Sequence, residues 1–180
     1  MRALIAGGRS RTDFLITSLR EEHHNVVVIN NDRTYCEYLA ANHDIPIICG
    51  DATKRYVLDS ADIMGFDVVF ALTNRDAANL VICQECKRFY HIKKAVCTVN
   101  NPLNVEIFKH LGISTVISTT FVLSQLIAEA STDATLISEL DEIESRLYRA
   151  TAEDLSSTQE FTKIVQGKHS KLPDPDNDLP

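Results

Sequence analysis

The residues best suited to hold a charged ligand lie close together near the N-terminus: Ala6-Gly7-Gly8-Arg9-Ser10-Arg11-Thr12. An apolar stretch, Arg2 to Ala6, precedes them, and an amphipathic helical pattern opens near Ser10. Glycines at 7 and 8 permit positive φ and close backbone approach, and a helix N-terminus offers unpaired N–H groups to an anion. Arg9 and Arg11 add guanidinium charge that can pair with phosphate, and Ser10 or Thr12 is expected to cap the helix. The spacing is that of G-x-G-x-x-G with only the middle glycine retained, because Ala6 and Arg11 occupy the outer two places. Arg11 crowds the turn where a pyrophosphate would sit, which favours a smaller phosphate ligand. The competing reading is a plain strand–helix turn with two surface arginines.

Four further segments carry polar residues where apolar runs end. Ile29-Asn30-Asn31-Asp32-Arg33 falls about 20 residues after the loop, where a dinucleotide site places an acid on the ribose hydroxyls. Asn30 and Asp32 are therefore the ribose candidates, Asn31 between them counts among the cofactor-binding residues, and capping of the next helix is the other use of Asp32. Cys49-Gly50-Asp51-Ala52-Thr53 either caps a helix or lines the crevice with backbone groups facing an adenine edge. Leu72-Thr73-Asn74-Arg75-Asp76, with Asn79 one turn later, places Thr73 and Asn74 across from the glycine loop. In Val99-Asn100-Asn101-Pro102, proline behind an asparagine reads as helix-start chemistry.

These segments need elements to position them. Strands are expected at Arg2–Ala6, Asn25–Ile29, Ile45–Ile48, Phe66–Leu72, Lys94–Val99 and Thr115–Ile117, several of them solid β-branched runs suited to burial on both faces. Between and after them, helices are expected near 10–22, 33–42, 54–61, 76–90, 103–111 and 119–130, with apolar faces at Ile107, Phe108 and Leu111 in the fifth and Val122, Leu123, Leu126 and Ile127 in the sixth. Six alternating units give an α/β, Rossmann-like, doubly wound parallel six-stranded sheet with helices on both faces. Its ligand crevice lies beyond the carboxyl ends of the strands.

The remaining residues limit the functional classes. A formal charge of −7 excludes broad nucleic-acid binding, and no apolar run reaches the ~18 residues of a membrane span. Five cysteines, including Cys83-x-x-Cys86 on a helical stripe with Ile82 and Phe89, read as reduced thiols packed in the core; no second pair completes a zinc site. The six histidines pair with no nucleophile, and the Gly-Lys-Ser/Thr ending of a Walker loop is missing. Residues 131–154 are expected to be a linker or the truncated start of a C-terminal domain. The Pro/Asp-rich 155–180 segment is expected to be a flexible polar tail.

Taken in order, the motifs resemble one family closely, the regulator-of-potassium-conductance domain, also called KTN or Trk-A N-terminal domain. The resemblance is carried by Gly8-Arg9, Gly50-Asp51-Ala52-Thr53, Leu72-Thr73-Asn74 with Asp76 and Asn79, Asn100-Asn101-Pro102 with Asn104, Phe108 with Leu111-Gly112, and Val116-Ile117-Ser118. It runs from residue 1 to about 130. It implies a cytoplasmic regulatory module rather than an enzyme, held at the inner face of the membrane by a membrane-embedded potassium channel or transporter subunit. It implies an adenine nucleotide in the crevice, AMP, ADP or ATP before NAD(H), with Arg9 at the phosphates. It also implies self-association through the 119–130 helix into a dimer or ring. Departures from the family are Ala6 and Arg11 for glycines, Asn30 for the ribose acid, and Thr119-Thr120 where many members carry Pro-Glu, which removes a carboxylate for a divalent ion. Two other readings remain beside it: an assembly module whose nucleotide site has decayed and, less favoured, an NAD-dependent oxidoreductase.

Overall fold

The computed structural model describes residues 1–130, and the expectations for 131–154 and 155–180 fall outside the described residues. The elements alternate without exception: β1 (Arg2–Ala6), α1 (Ser10–Glu21), β2 (Asn25–Asn30), α2 (Arg33–Asn42), β3 (Ile47–Cys49), α3 (Arg55–Ser60), β4 (Val68–Ala71), α4 (Asp76–Phe89), β5 (Lys94–Val99), α5 (Asn104–His110), β6 (Thr115–Ser118) and α6 (Thr119–Ala130). All six strands are parallel, in the order β3-β2-β1-β4-β5-β6. The chain winds outward from β1 to one edge, returns to β4 beside β1, and winds to the other edge. The crevice of a doubly wound sheet opens at that reversal.

The two-residue period of β1 divides its side chains between two cores. Ala3 and Ile5 pack with Ile16 and Leu19 of α1 and Leu39 of α2. Leu4 and Ala6 pack on the opposite face with Val57 and Leu58 of α3, Ile82, Cys83 and Cys86 of α4, and Phe108 of α5. Cys83 and Cys86 are wholly buried, as core packing requires. Their thiols are pushed up, Cys83 by its contact with Cys97 and by burial, and Cys86 to about 12 by burial.

Several expectations are corrected. β3 begins at Ile47 rather than Ile45, because Pro46 has no N–H for the ladder. β4 covers Val68–Ala71 rather than 66–72, since Phe66 N–H closes a turn onto Ile63 O. Pro102 is not the first residue of a helix. Asn101 Oδ1 accepts from Leu103 N–H and its carbonyl from Asn104 N–H, so a turn precedes α5. Within α5 only Phe108 is buried, while Ile107 and Leu111 are about half exposed.

Candidate functional site

The carboxyl ends of β1, β2, β3 and β4 border a cleft of about 590 Å³, within the usual range for small-ligand sites. Gly7, Gly8, Arg9, Ser10 and Arg11 line it from β1; Asn30, Asn31 and Asp32 from β2; Asp51, Ala52 and Thr53 from β3; Thr73 and Asn74 from β4. Of the candidate binding residues 7–12, 30–32, 51–53, 73 and 74, only Thr12 does not line it. Gly50 and Arg75 also line the cleft, and Ile29, Leu72, Ala78 and Ile82 form its apolar floor.

The glycine loop is built by close approach. Gly7 and Gly8 have φ of 73° and 80°, and a Cβ on Gly7 would stand 2.5 Å from Thr73 Cγ2. Neither Ser10 nor Thr12 caps α1: the N-cap is Arg9, without a side-chain cap bond. Thr12 is wholly buried and donates its hydroxyl to Gly7 O at 2.6 Å, which clamps the loop from beneath. The N–H groups of Ser10 and Arg11, in the first turn of α1, have no intrahelical partner, and both residues line the cleft. Arg11 is exposed, and α1 packs through Thr12, Ile16 and Leu19, so the lost glycine costs no helix–sheet contact.

At the end of β2 the two ribose candidates have separate roles. Asn30 is buried; its amide donates to Gly8 O at 2.8 Å and its Oδ1 accepts from Asp32 N–H at 3.0 Å. It holds the loop to the strand end. Asp32 uses Oδ1 to cap α2 at Tyr35 N–H and Oδ2 to pair with Arg9 at 2.6 Å. The Arg9 side chain is 77% exposed, so this pair can be exchanged for another anion at low cost. Tyr35 donates its hydroxyl to Arg9 O, and burial pushes the phenol up to about 12.

The other walls are also internally braced. Asp51 does not cap α3, whose N-cap is Lys54. Its Oδ1 accepts from Thr53 N–H and the Thr53 hydroxyl, and these bonds hold its carboxyl below the usual value against the upward push of burial. Gly50 is required because a Cβ there would stand 2.8 Å from Val57 Cγ1. Thr73 is gripped by Asn79, a wholly buried residue absent from the candidates although it stands on the apolar stripe of α4. Asn79 Nδ2 also donates to Thr98 O at 2.8 Å, joining the ends of β4 and β5. Behind it, Asp76 accepts from Asn100 N–H, Asn101 N–H and Asn104 Nδ2. Burial raises the Asp76 carboxyl, but these three bonds together hold it below the usual value. Asn100 and Asn101 thus brace the structure and do not line the cleft. Among the described residues no three or more His, Cys, Asp or Glu side chains group to hold a metal.

The TrkA-N domain family matches residues 3–119, about two thirds of the chain. The chain belongs to the TrkA-N family. This TrkA-N chain is 38% identical over 118 residues to a Trk system potassium uptake protein TrkA homolog of Methanothermobacter thermautotrophicus, covering 66% of this chain and 54% of that protein. It thus spans about half the length of that curated relative. Its fold is shared with two solved forms of the GsuK channel at 21% identity. The NAD-bound form gives a TM-score of 0.61 over 68% of this chain and 22% of that one, and the ADP-bound form 0.65 over 73% and 34%. A Shewanella denitrificans Kef CTD in AMP-bound form is 14% identical, with a TM-score of 0.63 over 87% of this chain and 99% of that one. No helix among the described residues is long and apolar enough to cross a membrane.

Proposed function

We propose that this TrkA-N chain is an adenine-nucleotide-sensing regulatory subunit of a potassium uptake system. In this reading it binds AMP, ADP or ATP in preference to NAD(H), and it sets the activity of a membrane-embedded potassium transporter or channel subunit without catalysing a reaction. The observation that carries the proposal is the open N-terminus of α1 behind Gly7-Gly8, facing Thr73 and Asn74 across the cleft. Phosphate oxygens suit the Ser10 and Arg11 N–H groups. Arg9 can exchange Asp32 for the phosphate, which frees Asp32 Oδ2 to accept from a ribose hydroxyl. The turn at Gly50–Thr53 offers backbone groups to the base.

The ligand can regulate only if it binds two assembly states unequally. α6 supplies a surface for such assembly, since Phe121, Val122, Leu123 and Ile127 are all exposed. Self-association through this helix, and docking from the cytoplasm onto the transporter, complete the proposal. The supports are the cleft, the potassium-uptake relative, and the AMP, ADP and NAD carried by proteins of this fold.

A thermal-shift panel with ATP, ADP, AMP, NAD+ and NADH tests it. Ligand at ~100 times its Kd should add about 2.7 kcal/mol, or roughly 5–10 °C. Absence of any shift at millimolar concentration would remove the nucleotide from the proposal. The Arg9–Asp32 pair favours one other reading, because it satisfies both charges without a ligand. An assembly module with a decayed cleft predicts normal self-association, no shift with any of the five, and no effect of Arg9→Ala.

A further inference from the structure

Two of the five thiols meet outside the main core, beside the cleft. Cys36 lies buried on the inner side of α2, and Cys49 is the exposed last residue of the edge strand β3. Asn30 stands between them. Its carbonyl oxygen accepts from the Cys36 thiol at 3.3 Å and from Gly50 N–H at 2.8 Å, and it is the ladder partner of Cys49. Both cysteines are thus held against the same residue, Cys36 through its thiol and Cys49 through its place in the ladder. The same fold holds a second pair in contact, Cys83 and Cys97, but both are wholly buried. Access therefore separates the pairs: a solute oxidant can reach Cys49 but not the core thiols.

We infer that Cys36 and Cys49 form a peroxide-reactive dithiol that closes to a disulfide and alters the adjoining cleft. Cys49 sulfur attacks one oxygen of hydrogen peroxide, the O–O bond breaks, and the departing oxygen leaves as water with the thiol proton. Cys49 is then a sulfenic acid. Cys36 sulfur next forms the S–S bond, the S–O bond of Cys49 breaks, and the hydroxide leaves with the Cys36 proton as a second water. The two sulfurs together lose two electrons, and the peroxide gains them. Burial holds the Cys36 thiol up, at about 11, and keeps it from peroxide, so the exposed Cys49 is the one oxidised first.

The consequence for the cleft follows from Asn30. Oxidation removes the S–H donor from its carbonyl and ties α2 covalently to the residue before Gly50. The Asn30 side chain meanwhile holds Gly8 O, so both the glycine loop and the β3 turn feel the change. This coupling rests on the nucleotide reading of the cleft; the disulfide itself does not.

The test uses the whole chain, reduced and then treated with hydrogen peroxide, followed by intact mass, a peptide map and an ADP titration of both forms. The expected product has lost two hydrogen atoms, shows a Cys36–Cys49 linked peptide, and reverts in dithiothreitol. Its ADP Kd should differ from that of the reduced chain on the order of fivefold or more. Cys36→Ser keeps a hydroxyl donor for Asn30 O, and it should abolish the link and leave added oxygen on Cys49. A wild-type map showing only oxygenated Cys49, or no reaction, overturns the dithiol. A linked product with unchanged ADP affinity overturns the coupling. If reduced chain does not bind ADP at all, the nucleotide reading fails, and the peptide map still decides the disulfide.

Discussion

Two buried asparagines brace the residues around the cleft, Asn30 at the end of β2 and Asn79 one turn into α4 behind Thr73, and they are used to different extents. Asn79 fills its whole hydrogen-bonding capacity: Oδ1 accepts from Thr73 N–H and the Thr73 hydroxyl, and Nδ2 donates to Thr73 O and Thr98 O. Asn30 makes one bond through each end of its amide, to Gly8 O and from Asp32 N–H, and beside it the exposed Arg9 pairs with the half-buried Asp32. The β4 side is therefore a fixed floor, tied through Asn79 to β5. The β1–β2 wall is held more loosely and carries the charges that can change partners. In the sensor proposed above, the fixed side is the reference against which the other side shifts.

The largest test of this contrast is Asn79→Ala. It leaves the Thr73 amide and the Thr73 and Thr98 carbonyls without partners, at about 1–3 kcal/mol each. Calorimetry should show a Tm fall of roughly 10 °C. A fall no larger than that of Asn30→Ala would break the distinction between floor and loop.

Asn30→Asp comes next. A carboxylate there would face Gly8 O in place of the amide donor, so denaturant unfolding should show a loss of about 2 kcal/mol. ADP affinity should fall with it. If the substitution instead tightens NAD+ binding, Asn30 is a weakened ribose ligand rather than a brace.

Acid provides a smaller, graded effect. Asp51 and Asp76 are both held below the usual carboxylate value of 3.8 in the folded chain. Their contribution is present in full well above that value and is lost as pH falls through the lower, folded-state pKa. Tm measured against pH should therefore be flat near neutrality and drop below about pH 4. Asp76→Asn should flatten part of that drop, since it removes one of the two titrating groups.

Arg9→Ala should have the least effect on stability, within about 1 kcal/mol, because its ion pair is exposed. Its effect belongs to binding: an ADP titration should weaken by on the order of tenfold or more, as expected for a lost charge-assisted contact. Equal losses of stability in Arg9→Ala and Asn79→Ala would erase the comparison altogether.

The order of strands and the position of the cleft were legible because β-branched runs, glycine turns and amphipathic helices follow one another at short spacing. The role of each polar residue was less so. Thr12 reads in sequence as a cap, yet one step of helical rotation buries it under Gly7. Asn30 reads as a substitute acid, but its side chain turns inward, because Gly8 O and Asp32 N–H are the nearest groups that need a partner. Asn79 did leave a signal. It shares the 79, 82, 83, 86 spacing of buried Ile82, Cys83 and Cys86, and an amide on such a stripe must be bonded internally. The closeness of Cys36 and Cys49 depends on the register of β2 with β3, which periodicity does not fix.

The glycine loop has an evolutionary consequence. The donors proposed for phosphate, at Ser10 and Arg11, are main-chain groups, set by φ at Gly7 and Gly8 and by the Thr12 clamp. Residues 9, 10 and 11 are all exposed. Under the proposed function, drift at these three positions would retune which phosphate compound is preferred while the scaffold stays intact, so a lineage could change its metabolic cue without inventing a new domain.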